Sequence, residues 1–536
     1  MAVKLTRRAV VQAKVESVYG VAETLTIDDG ILVSEPEFKI DPTVLERDIE
    51  LPDLSPEAVV LGRRLASMTF KTELRSNGKT TFTEADAPII SRLFRACGYA
   101  LTEVASPEVL GAYQIGQHAN TVSWEVSSGA KASRVLTYTD VPTDGETVTI
   151  GAQVYKFKTA LTPAANEVLI GADADASYQN LTHAINGTGI PGTHYAAGTL
   201  VNTDVSAVFA APGKTVTVTA LAKGAAANAI VTTATTDDAT WAGATLTGGI
   251  NISTAADVVG YAIEITTGGV SGVAQARVIA TESPTQAEVI VPPATLTSGT
   301  PFVIADGLTM TPTFTGVLTT DQRWMLWALP KGLRLDPVSE NFESVTLAMN
   351  KDGILHSMPG SFGTFQITAE AGQYASVEWT FTGKWVDPVD APFTYPTFEK
   401  TLPAQVEVAR LRIDNFYAVV AKFTYDQAND INVRPDVSSP EGYIGTRITA
   451  RNPKGGIDPE ADTVANQDFW AKLGSAKRMP FQMRVGKNAG NIVWVFAPST
   501  QYTGLTYQDR DGILTFDAEL RFSRYNGNDE FCLFFM

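Results

Sequence analysis

The sequence predicts a mainly β protein: β-sandwich or barrel-forming domains, each with a flanking α-helix, together with β-rich domains inserted between them. Three observations predict it. Short segments alternating apolar and polar residues, rich in Val, Ile and Thr, recur along the chain. Gly and Pro punctuate them at short intervals. Helical patterning is confined to a few short stretches. At 536 residues the chain exceeds one ordinary core, so several domains are expected.

Composition places the boundaries. Residues 1–138 mix charged and aromatic residues around one clear helix. Residues 139–250 turn abruptly to Ala, Thr, Gly and Val. There, TVTIGAQVYKF and KTVTVTALAKG read as strands. Between them DADASYQNLTHAING reads as a helix, with Asp173 or Asp175 at its start and Asn186-Gly187 at its end. Leu181, Ala184 and Ile185 form its apolar stripe. Residues 251–334 carry YAIEITTG, AQARVIAT, AEVIVPP and DGLTMTPTFTG, the spacing of a small sandwich. Residues 335–536 return to the composition of the first segment. FESVTLAMNKDGILHSM reads as two strands around a turn at 350–353, followed by GTFQITAEAG and ASVEWTFTGKW.

Charge and rare residues exclude several classes. The 41 basic and 58 acidic residues leave a net charge of −17, the wrong sign for a protein that grips DNA phosphates. Such acidity suits solubility, or a surface past which DNA slides. No apolar run approaches the ~20 residues of a membrane helix, and the first residues lack a secretory pattern, so assembly in a cytoplasm is expected. The two cysteines, Cys97 and Cys532, predict no disulfide framework, and Cys97 in RLFRACG reads as a core thiol. The four histidines fall in no metal-ligand spacing, and His183 and His194 read as polar surface residues. Neither G-x-S-x-G nor a phosphate-binding glycine loop occurs. Asp237-Asp238 and the Asp173/Asp175 pair read as turn residues. No enzyme, metal or cofactor is expected.

The strongest signal is internal. PDLSPE at 52–57 and PDVSSPE at 435–441 are each followed by Gly and Arg, then by the strands ASMTFKTELRSNG and TRITARNPKGG. Glu-Ala-Asp follows each strand, at 84–86 and at 460–462. It is expected to open a helix that ends in Gly, Gly98 or Gly474, 14 residues after the Glu in both copies. One domain present twice lets three chains close a ring that needs six.

The first segment resembles the N-terminal part of major tail tube proteins of long, non-contractile-tailed bacteriophages. KVESVYGVAETLTIDDGILVSEPEFKI, RLASMTFKTELRSNG and ADAPIISRLFRACGYALTE carry the likeness. VTLAMNKDGILHSMPGSFGTFQITAEAGQYASVEWTFTGKW and VRPDVSSPEGYIGTRITARNPKGGIDPE continue it in the last segment. Residues 139–250 resemble a β-rich module of phage structural proteins, and 251–334 resemble small immunoglobulin-like tail modules. Neither is required by a minimal tube subunit. The resemblance implies trimeric rings stacked into a tube within the virion tail. Its partners would be further copies of the chain, tail tip or baseplate and terminator proteins, the tape-measure protein, and double-stranded DNA passing without sequence-specific binding. The inserted modules could meet host-surface glycans. A surface adhesion protein of β-modules, or a terminator or baseplate ring protein, is the alternative reading.

The resemblance also directs attention to particular residues. The loops 40–63 and 426–445 would reach the neighbouring ring, with Asp53, Ser55, Glu57, Asp436, Ser438 and Glu441 at the ring-to-ring contacts. In ASMTFKTELR the period of two sets Met68, Phe70, Thr72 and Leu74 on a core face, against Ile89, Leu93 and Phe94 of the helix. Thr69, Lys71, Glu73 and Arg75 then face the channel, as would Arg447, Thr449 and Arg451 in the second copy.

Overall fold

The computed structural model describes all residues except 1–3, 6, 48, 51–56, 106, 116–121, 127–128, 251–256, 281–288, 306–307, 408–409 and 415. The protein is mainly β. Eight strands form its largest feature: β1 (Ser34–Leu45), β2 (Val60–Glu73), β3 (Ile354–Glu370), β4 (Ser376–Lys384), β5 (Val420–Asp426), β6 (Lys454–Pro459), β7 (Val493–Arg510) and β8 (Ile513–Phe522). They pair antiparallel in the order β1-β2-β4-β3-β5-β6-β8-β7. The order of the first four is repeated by the second four.

Alternation along β2, β4, β8 and the second half of β3 separates two faces. Met68, Phe70, Phe365, Ile367, Trp379, Phe381, Phe423, Tyr425 and Leu520 are all buried on one side. A second layer covers them. Ala9–Val15 pairs with Val345–Lys351, which turns into β3 through Asp352-Gly353, where positive φ at both residues suits a two-residue hairpin. Tyr99–Val104, Gly332–Pro337, Cys532–Phe535 and the start of β7 form a further row. The helix Ser91–Ala96 sets Phe94 against Phe365 and Trp379 at 4.9 and 4.8 Å. The helix Phe469–Gly474 sets Phe469 against Phe516 at 5.0 Å. One continuous core draws on both the first and the last segment. Each large apolar side chain buried there stabilises by about 1.5–3 kcal/mol.

The Glu-Ala-Asp triplets do not open the helices. Glu84–Asp86 is a single 3-10 turn, and Ala87, before Pro88, is extended, so the helix starts only at Ser91. In the second copy Glu460 bridges Thr515, and the helix is capped instead by Asp468, which accepts from the Ala471 N–H at 2.7 Å. Gly98 follows its helix, whereas Gly474 is the last residue of its own.

Residues 130–250 close on themselves. Two four-stranded sheets enclose a separate core with the helix Ala174–Asn186. Asp173 caps that helix at the Ala176 N–H, 2.7 Å away, and Gly187 ends it at φ 64°. Leu181, Ala184 and Ile185 are fully buried, and Tyr178 stacks on Tyr138 at 4.4 Å. The backbones of Ala130 and Ile250 exchange two hydrogen bonds, so the unit begins and ends at one point.

A third unit pairs a five-stranded with a three-stranded sheet. It takes two strands from outside 251–334: Glu108–Ile115 beside Arg323–Leu329, and Ser123–Val126 beside Leu308–Thr313. The strand Lys131–Tyr138 likewise lies inside the 130–250 unit. These pairings correct the boundary expected at 138. Strand partners are chosen by long-range pairing, which a change in local composition does not reveal. The third unit rests on the main body through Trp327, which packs on Phe496 at 4.4 Å and bonds Gln482 through its indole N–H.

Candidate assembly surface

The outer face of the eight-stranded sheet is polar from edge to edge. One register row runs Ser34, Lys71, Glu378, Gln366, Asp426, Lys454, Arg521, Gln501. A parallel row runs Glu73, Ser376, Thr368, Thr424, Gly456, Glu519. Charges of both signs occur on this face. Lys71 meets Glu35 at 2.7 Å and Glu378 at 3.9 Å, and Lys422 meets Glu370 at 2.8 Å. The bond to Glu35 raises the Lys71 ammonium above its ordinary value, so it stays charged across the neutral range. These pairs are exposed, so each contributes little to stability. Their effect is on the field of the face, where neighbouring charges cancel.

The structure sorts the channel candidates. Thr69, Lys71 and Glu73 lie on this polar face, opposite Met68, Phe70 and Thr72. Arg75 does not. It stands beyond the end of β2, is buried, and donates to the carbonyls of Thr401 and Glu399. Arg447, Thr449 and Arg451 lie on a separate two-stranded arm, Asn429–Pro435 paired with Tyr443–Arg451. Arg451 is further held by Glu530, Val338 and Asn528. The second copy reaches the polar face through Lys454, Gly456 and Asp458 instead, because Asn452 and Pro453 separate the arm from β6.

Both repeated loops end hairpins. The first prolongs β1 and β2 to the pair Leu45–Val60, and the second is the 429–451 arm. Asp53 and Ser55 lie outside the described residues. Glu57 pairs with Arg47 at 3.6 Å. At the second tip Asp436 accepts from the Ser438 N–H at 3.0 Å and from the Ser439 hydroxyl at 2.7 Å. These bonds hold its carboxyl below the ordinary range. Val437 and Ser438 are exposed. Glu441 is engaged within the chain: the Arg64 backbone N–H and guanidinium donate to it, which lowers its pKa. Tyr19 fixes the arm by exchanging hydrogen bonds with Thr446 at 2.7 and 2.8 Å.

A buried ionic centre, not foreseen from sequence, ties the third unit to this body. Asp414 is met by Lys477 at 2.9 Å, Lys472 at 3.5 Å and Arg323 at 3.7 Å. Burial alone would raise its carboxyl, but the three cations hold it below the ordinary range. His183 and His194 mark no comparable centre: the two imidazoles lie 5.2 Å apart and bond locally, to Thr188 and to the Ile190 N–H. Among the described residues no group of three or more His, Cys, Asp or Glu side chains is arranged to hold a metal ion. Cys97 and Cys532 are buried free thiols.

A family model described as phage tail tube protein matches residues 287–520, the span that holds β3 through most of β8 and the second arm. No curated protein matches the chain. The likeness is therefore to a structural protein of the phage tail, and it covers less than half of the chain. Among the described residues no helix is long and apolar enough to cross a membrane.

Proposed function

We propose that this chain, a phage tail tube protein, polymerises into stacked rings whose channel delivers the genome, and that the polar face of the eight-stranded sheet is the channel wall. The observation that carries this reading is the face itself. It is polar in both register rows above, carries charges of both signs, and backs onto a buried, mainly apolar layer. A duct for DNA needs such a hydrated wall with little net attraction, because each contact that neutralises a phosphate adds binding and friction. Catalysis has no part in this role.

The twofold repeat of four strands supports trimeric rings, in which three chains supply six quasi-equivalent four-stranded units of one barrel. Closure removes the open edges that an isolated sheet would expose. The two hairpin tips would reach the neighbouring ring, with Glu57, Asp436 and Ser438 at the contact and Glu441 bracing the second arm. Residues 130–250 and the third unit would project outward as decoration, in contact with host-surface glycans or stiffening the tail. The siphophage-type architecture follows from the same reading. Electron microscopy of the purified chain tests it: filaments are expected, monomers would favour an adhesin, and single unstacked rings a terminator.

A further inference from the structure

Resting on the tube reading, we infer that β7 of one chain pairs with β1 of a second copy, antiparallel, with Thr506 opposite Lys39, Tyr507 opposite Phe38 and Gln508 opposite Glu37. The inference comes from a junction that the chain already makes with itself. The halves β1-β2-β4-β3 and β5-β6-β8-β7 share one order, and they meet where β3 pairs with β5. There Gln366 faces Asp426, Ile367 faces Tyr425 and Thr368 faces Thr424. The two free edges, β7 and β1, are the counterparts of β3 and β5.

Matching the halves residue by residue fixes the register. Thr368 pairs with Ser376 just before the β3–β4 turn, as Gln508 pairs with Thr515 before the β7–β8 turn. Ser376 faces Glu73, and Thr515 bridges Glu460. Further along, Thr69 corresponds to Gly456 and Ser67 to Lys454, which makes Glu37 the counterpart of Thr424 and Lys39 of Asp426. Carrying the internal junction over by this match gives the pairs stated above.

Two independent features agree with it. The first is geometric. The row from Gln366 through Asp426, Lys454 and Arg521 ends at Gln501, whereas the counterpart of Gln366 is Thr506. One of the intervening positions is taken up by the β-bulge between Tyr502 and Gly504. The remaining four-residue stagger over four strands gives a tilt of roughly 35°, the value at which sheets close into barrels. The second is burial. Ile367 and Tyr425 are buried at the internal junction, but Tyr507 at the free edge is 55% exposed. Beside it lie Trp470, 5.7 Å away ring to ring, and Leu514, both exposed as well. Among the described residues β1 pairs only with β2, and β7 beyond Gln501 only with β8. An edge with free amides and exposed apolar side chains is a template for another strand.

Cross-linking tests the register. In chains carrying both Glu37→Cys and Gln508→Cys, mild oxidation of assembled filaments should join chain to chain, since directly opposed residues hold Cβ atoms about 5 Å apart. The buried Cys97 and Cys532 should stay unreacted. Lys39→Cys with Gln508→Cys, two residues out of register, should link at least fivefold less. Filaments that form without the 37–508 link, or that link better through 39–508, would overturn the pairing and leave the tube reading intact. No filaments from the unmodified chain would overturn the tube reading itself. As a second variant, Tyr507→Asp should abolish filaments with unchanged thermal unfolding of the monomer, and normal filaments from it would also overturn the pairing.

Discussion

The main body and the 130–250 unit solve the same problem differently. In the 130–250 unit both sheets turn their apolar faces inward around Tyr178 and Leu181, and the chain enters and leaves at the Ala130–Ile250 bridge. It satisfies itself. The main body has a core just as dry, around Phe94, Phe365 and Trp379, yet it leaves a broad polar wall and two unpaired strand edges. The difference teaches where function lies. A self-contained unit can be carried as an addition, whereas an incomplete sheet calls for a neighbour.

Removing one aromatic from each core gives the largest expected effect. Trp379→Ala empties a fully buried site and strands the Thr72 hydroxyl that accepts its indole N–H at 2.9 Å. It should cost the main body about 3–5 kcal/mol. Tyr178→Ala should cost the 130–250 unit about 3 kcal/mol. Calorimetry should show each variant lowering one transition and leaving the other in place. A single transition moved by both would break the comparison.

Asp414→Asn should rank next, at about 3 kcal/mol, because it leaves Lys477 and Lys472 without their counter-charge and Arg323 with Glu264 alone. Its pH dependence has a definite sign. The folded carboxyl lies below its ordinary value, so its contribution is complete above the unfolded value of about 4 and is lost as pH falls through the folded one. Urea midpoints of the parent should therefore fall on acidification below about pH 4 more steeply than those of Asp414→Asn.

Excising residues 131–249 sharpens the comparison further. The Ala130 and Ile250 backbones are already hydrogen-bonded to each other, so a short linker can join them. The main-body transition should move by less than about 1 kcal/mol, and filaments should still form. The smallest stability effect is expected for Asp53→Lys with Asp436→Lys. Losing the Asp436 turn bonds should cost about 1 kcal/mol or less, while elongation stops. Filaments of normal length from that double variant would remove the hairpin tips from ring stacking.

Much of the polar face was legible in the sequence, and the reasons are local. The period of two in ASMTFKTELR separates Met68 and Phe70 from Thr69 and Lys71 as the structure does. Asp173, the stripe at 181–185 and Gly187 likewise describe a helix that its own residues determine. What could not be read depends on partners far along the chain. Arg75 turns inward because the carbonyls of Glu399 and Thr401 stand beside it. In the second copy, KGGIDP looks like a turn, yet it is the strand between β5 and β8. The strands at 108–115 and 123–126 carry no mark of their partners 200 residues away.

Ring stoichiometry tests the duplicated wall most directly. Cryo-electron microscopy of assembled filaments should resolve three chains per ring around a closed barrel, eight strands from each, with Lys71, Glu378 and Lys454 facing the lumen. Six chains per ring, or a lumen lined by any other surface of the chain, would contradict it.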